Sequence, residues 1–450
     1  MSRSSDRLSP RAAWFRFSQR RHIARRHIAR RHIALIVAVL LGFSLWVSAC
    51  GTTSEPSLGD GTLGVVTVEE GDTVQVRAVS TFDLPDTGAR DYIHTVKLAI
   101  EDYGPIHGKF AVEFGEPIND SCSAEAGPAV AEAVLADGSV LGVIGPSCSA
   151  TATTAVPMIT AAGQVVISMS NTSPLLTSDL AGTAAVHYQR GYYRTAHNDL
   201  YQGEAVSAFL QDALGPQKVA VVHEGDAYTK GLARAFSDAF EKQGGTVSDF
   251  VEINLGNTTD LADTLNLIAA QEPAGLFFPL TQESGAEFAE IVRAHEGFDD
   301  TALLSGDGVL HYSFLELASS RGTFISGPDL DFGDNTNQAT NMNAEQVQQR
   351  FVDTTGTVPV RAFWAHAYDA TTLLLDAITA ASRVNGNNLV VDRAGIRQYL
   401  NGIQDYQGII GEIACDQFGD CGSGKISIIE HLDPSDPDAS WGNVVYRFSP

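Results

Sequence analysis

The chain has 450 residues, a net charge of −25, 44% hydrophobic and 18% charged residues. That length exceeds one typical core and implies two lobes, and the balance is that of a globular chain and not of a disordered one. Residues 1–49 carry ten Arg and one Asp, which leaves 19 basic and 53 acidic residues beyond them, a net of −34 that repels phosphates and excludes a nucleic-acid partner.

The N-terminal stretch repeats Arg-Arg-His-Ile-Ala three times from Arg20 to Ala34. An apolar run, Ile33 to Val47, follows and ends in Val47-Ser48-Ala49-Cys50. Basic, then apolar, then small residues is the order of a secretory signal, and the run is short for a membrane-spanning helix. The competing reading is an uncleaved anchor helix. The Val-Ser-Ala-Cys end resembles a bacterial lipobox, which implies a signal peptide over 1–49 and a lipid on Cys50. Residues 50–71, rich in Thr, Ser, Gly, Glu and Asp, read as a flexible tether.

From there the pattern predicts alternation of strand and helix. Strands are expected at Val74–Val79, Phe110–Phe114, Val140–Ile144 and Gln164–Ile167, with helices at Asp91–Tyr103, Pro128–Ala136 and Ala150–Ala162. A polar, irregular stretch, Tyr192–Asp199, reads as a crossing to the second lobe. The alternation then restarts, with strands at Lys218–Val222, Val247–Ile253, Gly275–Leu280 and Thr301–Leu304. Helices are expected before and between them at Gly203–Asp212, Lys230–Gln243, Asp260–Ala270 and Ser284–His295. Gly327-Pro328 reads as another crossing, Ala362–Ser382 and Arg393–Leu400 as helices, and Tyr406–Phe448 as β-rich. Such alternation implies an α/β fold of parallel sheets covered by helices, with any ligand at the carboxyl ends of the strands.

Gly145-Pro-Ser-Cys-Ser149 anchors the functional reading. It joins a buried strand to a helix N-terminus, where free N–H groups and the helix dipole favour an anion. Ser168-Met-Ser-Asn-Thr-Ser-Pro174 is a second such edge. The competing reading makes both ordinary helix caps. Ser149, Ser170, Thr172, Tyr228 and Asp307 fall at strand ends and are the candidate ligand-binding residues.

There are five cysteines. With Cys50 set aside, four remain and allow three pairings. Proximity favours Cys122–Cys148 and Cys415–Cys421, and a zinc site is the weaker alternative because neither pair has tight spacing or a nearby His pair. Gly419-Asp-Cys-Gly-Ser-Gly-Lys425 is no P-loop, because Ile426 stands where a magnesium-binding hydroxyl is required. No zinc-protease motif and no nucleophile elbow occur, so no cofactor, metal or enzymatic activity is expected.

The chain from about Asp72 onward resembles the periplasmic leucine/isoleucine/valine-binding proteins, the substrate-binding components of branched-chain amino acid ABC transporters. The resemblance rests on Cys122 with Cys148-Ser149, Ile167–Pro174, Lys218–His223 with Tyr228 and Gly231–Ala235, Gly306–Val309, Tyr368–Ala370, and Gly408–Ile413 followed by Asp416–Asp420. It implies a type I periplasmic-binding-protein fold, two doubly wound lobes with a ligand cleft between them. Placed on this chain, the lobes are 72–195 plus 329–402 and 196–328 plus 403–450. It further implies that Ser149 holds the ligand carboxylate, that Thr172 and the Ser170 backbone contact its main chain, that Asp307 pairs with its ammonium, and that Tyr228 closes over it. The implied role is capture of an amino acid by lobe closure and delivery to an ABC-transporter permease, from an extracytoplasmic position held by lipid at the bacterial membrane. A ligand-binding sensor acting with a separate receptor is the alternative. Two departures touch the side-chain pocket: Thr281 or Gln282 stands where some relatives carry an aromatic, and Arg90–Tyr92 shows no clear counterpart to another pocket aromatic.

Overall fold

The computed structural model describes residues 59–82, 90–215 and 217–450. The expected signal peptide, Cys50 and the start of the tether lie outside the described residues. Residues 64 onward are not all tether. β1 (Val65–Val68) pairs antiparallel with a later strand, Asn388–Asp392, and buries Val66 and Val68.

Two parallel sheets carry the fold. The first contains β2 (Val74–Ala78), β3 (Val112–Glu113), β4 (Gly142–Ile144), β5 (Val165–Ser168) and β6 (Tyr192–Arg194), in the order β3-β2-β4-β5-β6. The second contains β7 (Lys218–His223), β8 (Thr246–Glu252), β9 (Gly275–Phe277), β10 (Ala302–Ser305) and β11 (Thr323–Pro328), in the order β8-β7-β9-β10-β11. Both therefore run second-first-third-fourth-fifth, the doubly wound order. The second sheet is extended past β11 by antiparallel strands at Ile426–Glu430 and Val444–Phe448. β4 and β5 are buried along their whole length, as strands covered on both faces must be.

Helices cover these sheets. In the first lobe they are α1 (Asp91–Tyr103), α2 (Gly127–Leu135) and α3 (Ser149–Ala161). α4 (Asp199–Leu214), α5 (Thr229–Lys242), α6 (Thr258–Ala269) and α7 (Gln282–Ala294) follow in the second. α1 turns Ile93, Val96 and Ala99 inward and stops at Gly104, which takes φ +80°. α8 (Ala344–Thr355) is absent from the expected elements, although Asn343 and Gln346 form the reciprocal capping box that marks such a start. α9 (Trp364–Ala380) is buried almost all round and packs on α1 in the first core.

The lobe boundary expected at residue 403 is corrected. Ile403, Tyr406, Ile409, Ile410, Ile413, Cys415 and Cys421 pack into the core beneath the first sheet, so Ile403–Cys421 belongs with the first lobe and only the strands from Ile426 onward join the second sheet. The reason is local. Asp369, buried on α9, accepts N–H bonds from Ile409 at 3.0 Å and Ile410 at 2.9 Å and fixes the hairpin Tyr406–Ile413 over that core. The chain crosses between lobes at Thr195–His197, again after β11 ends at Pro328, and near Gly422. A Cβ at Gly422 would lie 2.3 Å from the Ala196 carbonyl, so this close approach requires glycine.

Candidate functional site

One cavity of about 590 Å³ lies between the two sheets. Most of its lining comes from the carboxyl ends of the strands: Thr81 after β2, Ser147–Ala150 after β4, Ser170 after β5, Glu224, Asp226 and Tyr228 after β7, Thr281–Ser284 after β9 and Asp307, Gly308, Leu310 and His311 after β10, with Arg361–Phe363 added from the segment before α9. That is the place where strand order reverses in a doubly wound sheet and a crevice opens.

On the first wall the Gly145–Ser149 turn is built by backbone need and one carboxylate. Gly145 takes φ +115°, and a Cβ there would lie 1.9 Å from the Val79 carbonyl. Asp120 accepts the N–H groups of Ser147 at 2.6 Å and Cys148 at 3.0 Å and the Ser147 hydroxyl at 2.8 Å. The Cys122–Cys148 disulfide is present beside it, as is Cys415–Cys421 in the later turn. Cys148 occupies the N-cap of α3 without a side-chain cap, so Ser149 is the first helical residue and not the cap. Among the described residues the N–H groups of Ser149 and Ala150 meet no protein acceptor, and both residues line the cavity. The Ser170 hydroxyl donates to the Ser147 carbonyl at 2.8 Å and ties the second edge to the first.

Arg194 holds that second edge from behind. Its fully buried guanidinium donates to the carbonyls of Ser173 at 2.8 Å and Asn171 at 3.1 Å, and pairs with Asp420 at 2.5 Å. Asp420 lies in the turn closed by Cys415–Cys421. Thr172 is buried and does not line the cavity; its carbonyl accepts the N–H of Asp199 at 2.9 Å.

The second wall is acidic. The Tyr228 hydroxyl donates to Asp307 Oδ1 at 3.2 Å and accepts the N–H of Gly308 at 2.8 Å. Burial pushes the Asp307 carboxyl up to about 6, against the opposing help of Gln202 and Tyr228. Burial, and then the negative charges of Asp307 and Asp199, push the Tyr228 phenol up. Asp199 is fully buried, and burial followed by the charge of Asp307 raises its carboxyl. His197 and His366 at the crossing are held down by burial, to about 4 and about 3. Ser173 reaches over from the first lobe, its hydroxyl donating to the Ala227 carbonyl at 2.6 Å.

Two groups of candidate metal donors come within 4.8 Å of one another among the described residues, Asp120 with Cys122 and Cys148, and His197 with Asp199 and Asp307. The sulfurs of the first are spent in a disulfide. In the second, His197 Nε2 is already joined to Gln202 Oε1 at 2.6 Å.

Ser149, Ser170, Tyr228 and Asp307 thus converge on one cavity. Sequence reasoning missed Asp120, Glu224, Arg194 and Asp199. Each acts through partners distant in the chain, and only the short spacing Asp120-Ser-Cys122 gave a local hint. Tyr92 also corrects an expectation, because it lines the cavity and supplies an aromatic from the start of α1.

A family model described as periplasmic binding protein matches residues 85–420. A Leu/Ile/Val/Thr-binding protein of Salmonella typhimurium is 28% identical over 216 residues, 47% of this chain and 55% of the relative. A Leu/Ile/Val-binding protein homolog of Brucella melitensis is 24% identical over 72% of this chain and 80% of the relative. The chain spans about half the length of the first of these curated relatives. A leucine binding protein from Thermotoga maritima superposes with a TM-score of 0.67 at 20% identity, over 84% of this chain and 99% of that one. A branched-chain amino acid transporter substrate binding protein from Streptococcus pneumoniae, solved with isoleucine, gives 0.65 at 18% identity over 84% and 100%. These superpositions bear out the type I periplasmic-binding-protein fold.

Proposed function

The chain belongs to the periplasmic binding protein family, and on that premise we propose that it captures a free amino acid outside the cytoplasm and delivers it to the membrane permease of an ABC transporter. The observation that carries this reading is the pairing of a wall of hydroxyl and N–H donors with an acidic wall across one cavity. A zwitterion entering the cleft loses water at both ends. Its carboxylate takes the Ser149 hydroxyl and the open N–H groups at the start of α3, where the dipole favours an anion. Its ammonium takes Asp307, with Tyr228 beside it. Ser170 contributes through its backbone, and Thr172, buried outside the cavity lining, supports that edge through its carbonyl, which accepts the Asp199 N–H. These groups bind and do not perform chemistry, so the protein acts as a carrier and not as an enzyme.

Ligand that bridges both walls favours the closed arrangement, and the closed form docks on the permease. In this reading residues 1–49 are a signal peptide and a lipid on Cys50 keeps the carrier beside its permease, raising its effective concentration. Among the described residues no helix is long and apolar enough to cross a membrane.

Calorimetric titration of the purified chain with the standard L-amino acids, with small-angle scattering on the same samples, tests the proposal. At least one amino acid binds at micromolar concentration or below and compacts the protein. Heat from no α-amino acid would overturn it. For Cys50, mass spectrometry of the membrane-extracted protein finds acyl mass on an N-terminal Cys, and an unmodified terminus elsewhere refutes the anchor.

A further inference from the structure

The second wall carries a carboxylate that the capture of a plain α-amino acid leaves unused. Glu224 follows β7 as Asp307 follows β10. Val221, Phe277 and Leu304 share one row of the sheet, so Glu224 and Asp307 each stand three residues beyond that row, two strands apart. Adjacent strands are about 4.8 Å apart, which separates the two positions by roughly 10 Å at the backbone. Both residues line the same cavity.

The Glu224 carboxylate is built in. Its backbone N–H donates to the Thr229 hydroxyl at 3.0 Å, and Oε1 accepts the Ser284 hydroxyl at 2.7 Å. Among the described residues Oε2 meets no donor. Burial raises this carboxyl, and the neighbouring charges of Asp226 and Glu287 raise it further. The segment between the two acids is polar, with Thr281, Gln282, Glu283 and Ser284 as consecutive lining residues, while the apolar lining of Tyr92, Leu310, Ala362 and Phe363 comes from other segments. Arg361 is the one Lys or Arg in the lining among the described residues, and its guanidinium donates to Gln282 Oε1 at 3.2 Å.

We propose that Glu224 is a second anchor, and that the ligand is an amino acid whose side chain ends in a positive charge, as in lysine or arginine. The inference rests on the capture reading above, with Asp307 holding the α-ammonium. A long, flexible cationic side chain spans the distance between the two carboxylates, and a branched aliphatic one does not. The cation also neutralises a carboxylate that the cleft otherwise holds half out of water.

Titration calorimetry of the purified chain, Glu224→Gln and Asp307→Asn with L-arginine, L-lysine, L-leucine and L-glutamate tests this. Gln keeps an acceptor for Ser284, and matching thermal melts establish that the variant folds. Arginine or lysine binds at least tenfold tighter than leucine or glutamate. Glu224→Gln weakens the basic ligand roughly 10- to 100-fold, as loss of a charge-assisted bond does. It also flattens the salt dependence of that binding. A neutral or acidic amino acid that binds as tightly, or basic binding untouched by Glu224→Gln, overturns the assignment of Glu224. If leucine then binds and Asp307→Asn abolishes it, the capture reading survives alone. If no amino acid binds, both fail.

Discussion

The two walls of the cleft share one topology and carry opposite chemistry. Each is the carboxyl edge of a parallel sheet in second-first-third-fourth-fifth order, with helices starting at the cavity. On the first wall, α3 begins without a side-chain cap, and the lining Thr81, Ser147, Ser149 and Ser170 are uncharged. On the second, the start of α5 is already served by a carboxylate: Asp226 accepts the N–H groups of Tyr228 at 2.8 Å and Thr229 at 3.2 Å. Glu224 and Asp307 then add further negative charge. The lesson is that a doubly wound sheet always offers helix N-termini to its crevice, and the loops decide whether that positive potential is left for the ligand or cancelled. Here it is left on one side and cancelled on the other, which fits the two ends of a zwitterion.

The comparison can be broken most forcefully from behind the first wall. Asp420→Asn leaves the Arg194 guanidinium buried without its charge partner and should cost about 3–5 kcal/mol of stability, read by denaturant unfolding. An unaltered midpoint means that the 168–177 edge does not depend on this pair. On the second wall, Asp307→Asn should weaken amino-acid binding by about 3 kcal/mol, more than a hundredfold, with folding kept. Ser149→Ala removes one of several donors on the first wall, so the loss is smaller, about 1.5 kcal/mol or roughly tenfold. Equal losses at the two sites would mean that the walls do not divide the ligand as argued.

A pH dependence of opposite sign for binding and folding completes the set. Asp307 must be ionised to hold an ammonium. With its carboxyl near 6, affinity should fall about tenfold per pH unit below that point. In the free protein the same group has a folded value raised above its ordinary 3.8, so the folded form binds the proton more tightly than the unfolded form between these limits. Its contribution to stability is full below 3.8 and is lost as pH rises through about 6. Titration calorimetry and melts across pH 4–8, repeated on Asp307→Asn, separate the two, and the variant should lose both trends.

Much of this arrangement was legible from local pattern. Apart from β6, which falls in the stretch read as an irregular crossing, the strands and helices from Val74 to Ser305 fall within a few residues of their expected places, because each is a short buried run or an amphipathic helix bounded by Gly, Ser or Asn. The Gly145–Ser149 turn was legible for the same reason, and proximity favoured Cys122 with Cys148 among three possible pairings. The elements that escaped are those whose pattern is weak until a partner arrives. β1 is four residues long and needs Asn388–Asp392 to complete it. The hairpin Tyr406–Ile413 looks like part of the second lobe until Asp369 draws it onto the first core.

The same division holds at the site. By itself the sequence determined the α/β class, the two edges of hydroxyl residues and the strand-end positions of Ser149, Ser170, Tyr228 and Asp307, since all of these depend on neighbours close in the chain, and it favoured one of three disulfide pairings. Only the tertiary structure decided which wall is charged, that Thr172 lies buried behind the cavity, and that Glu224 and Asp307 stand abreast. It alone set Arg194 against Asp420, 226 residues away. Those facts depend on strand order and on burial, where one carboxylate's environment is set by segments that meet only after the sheets have formed.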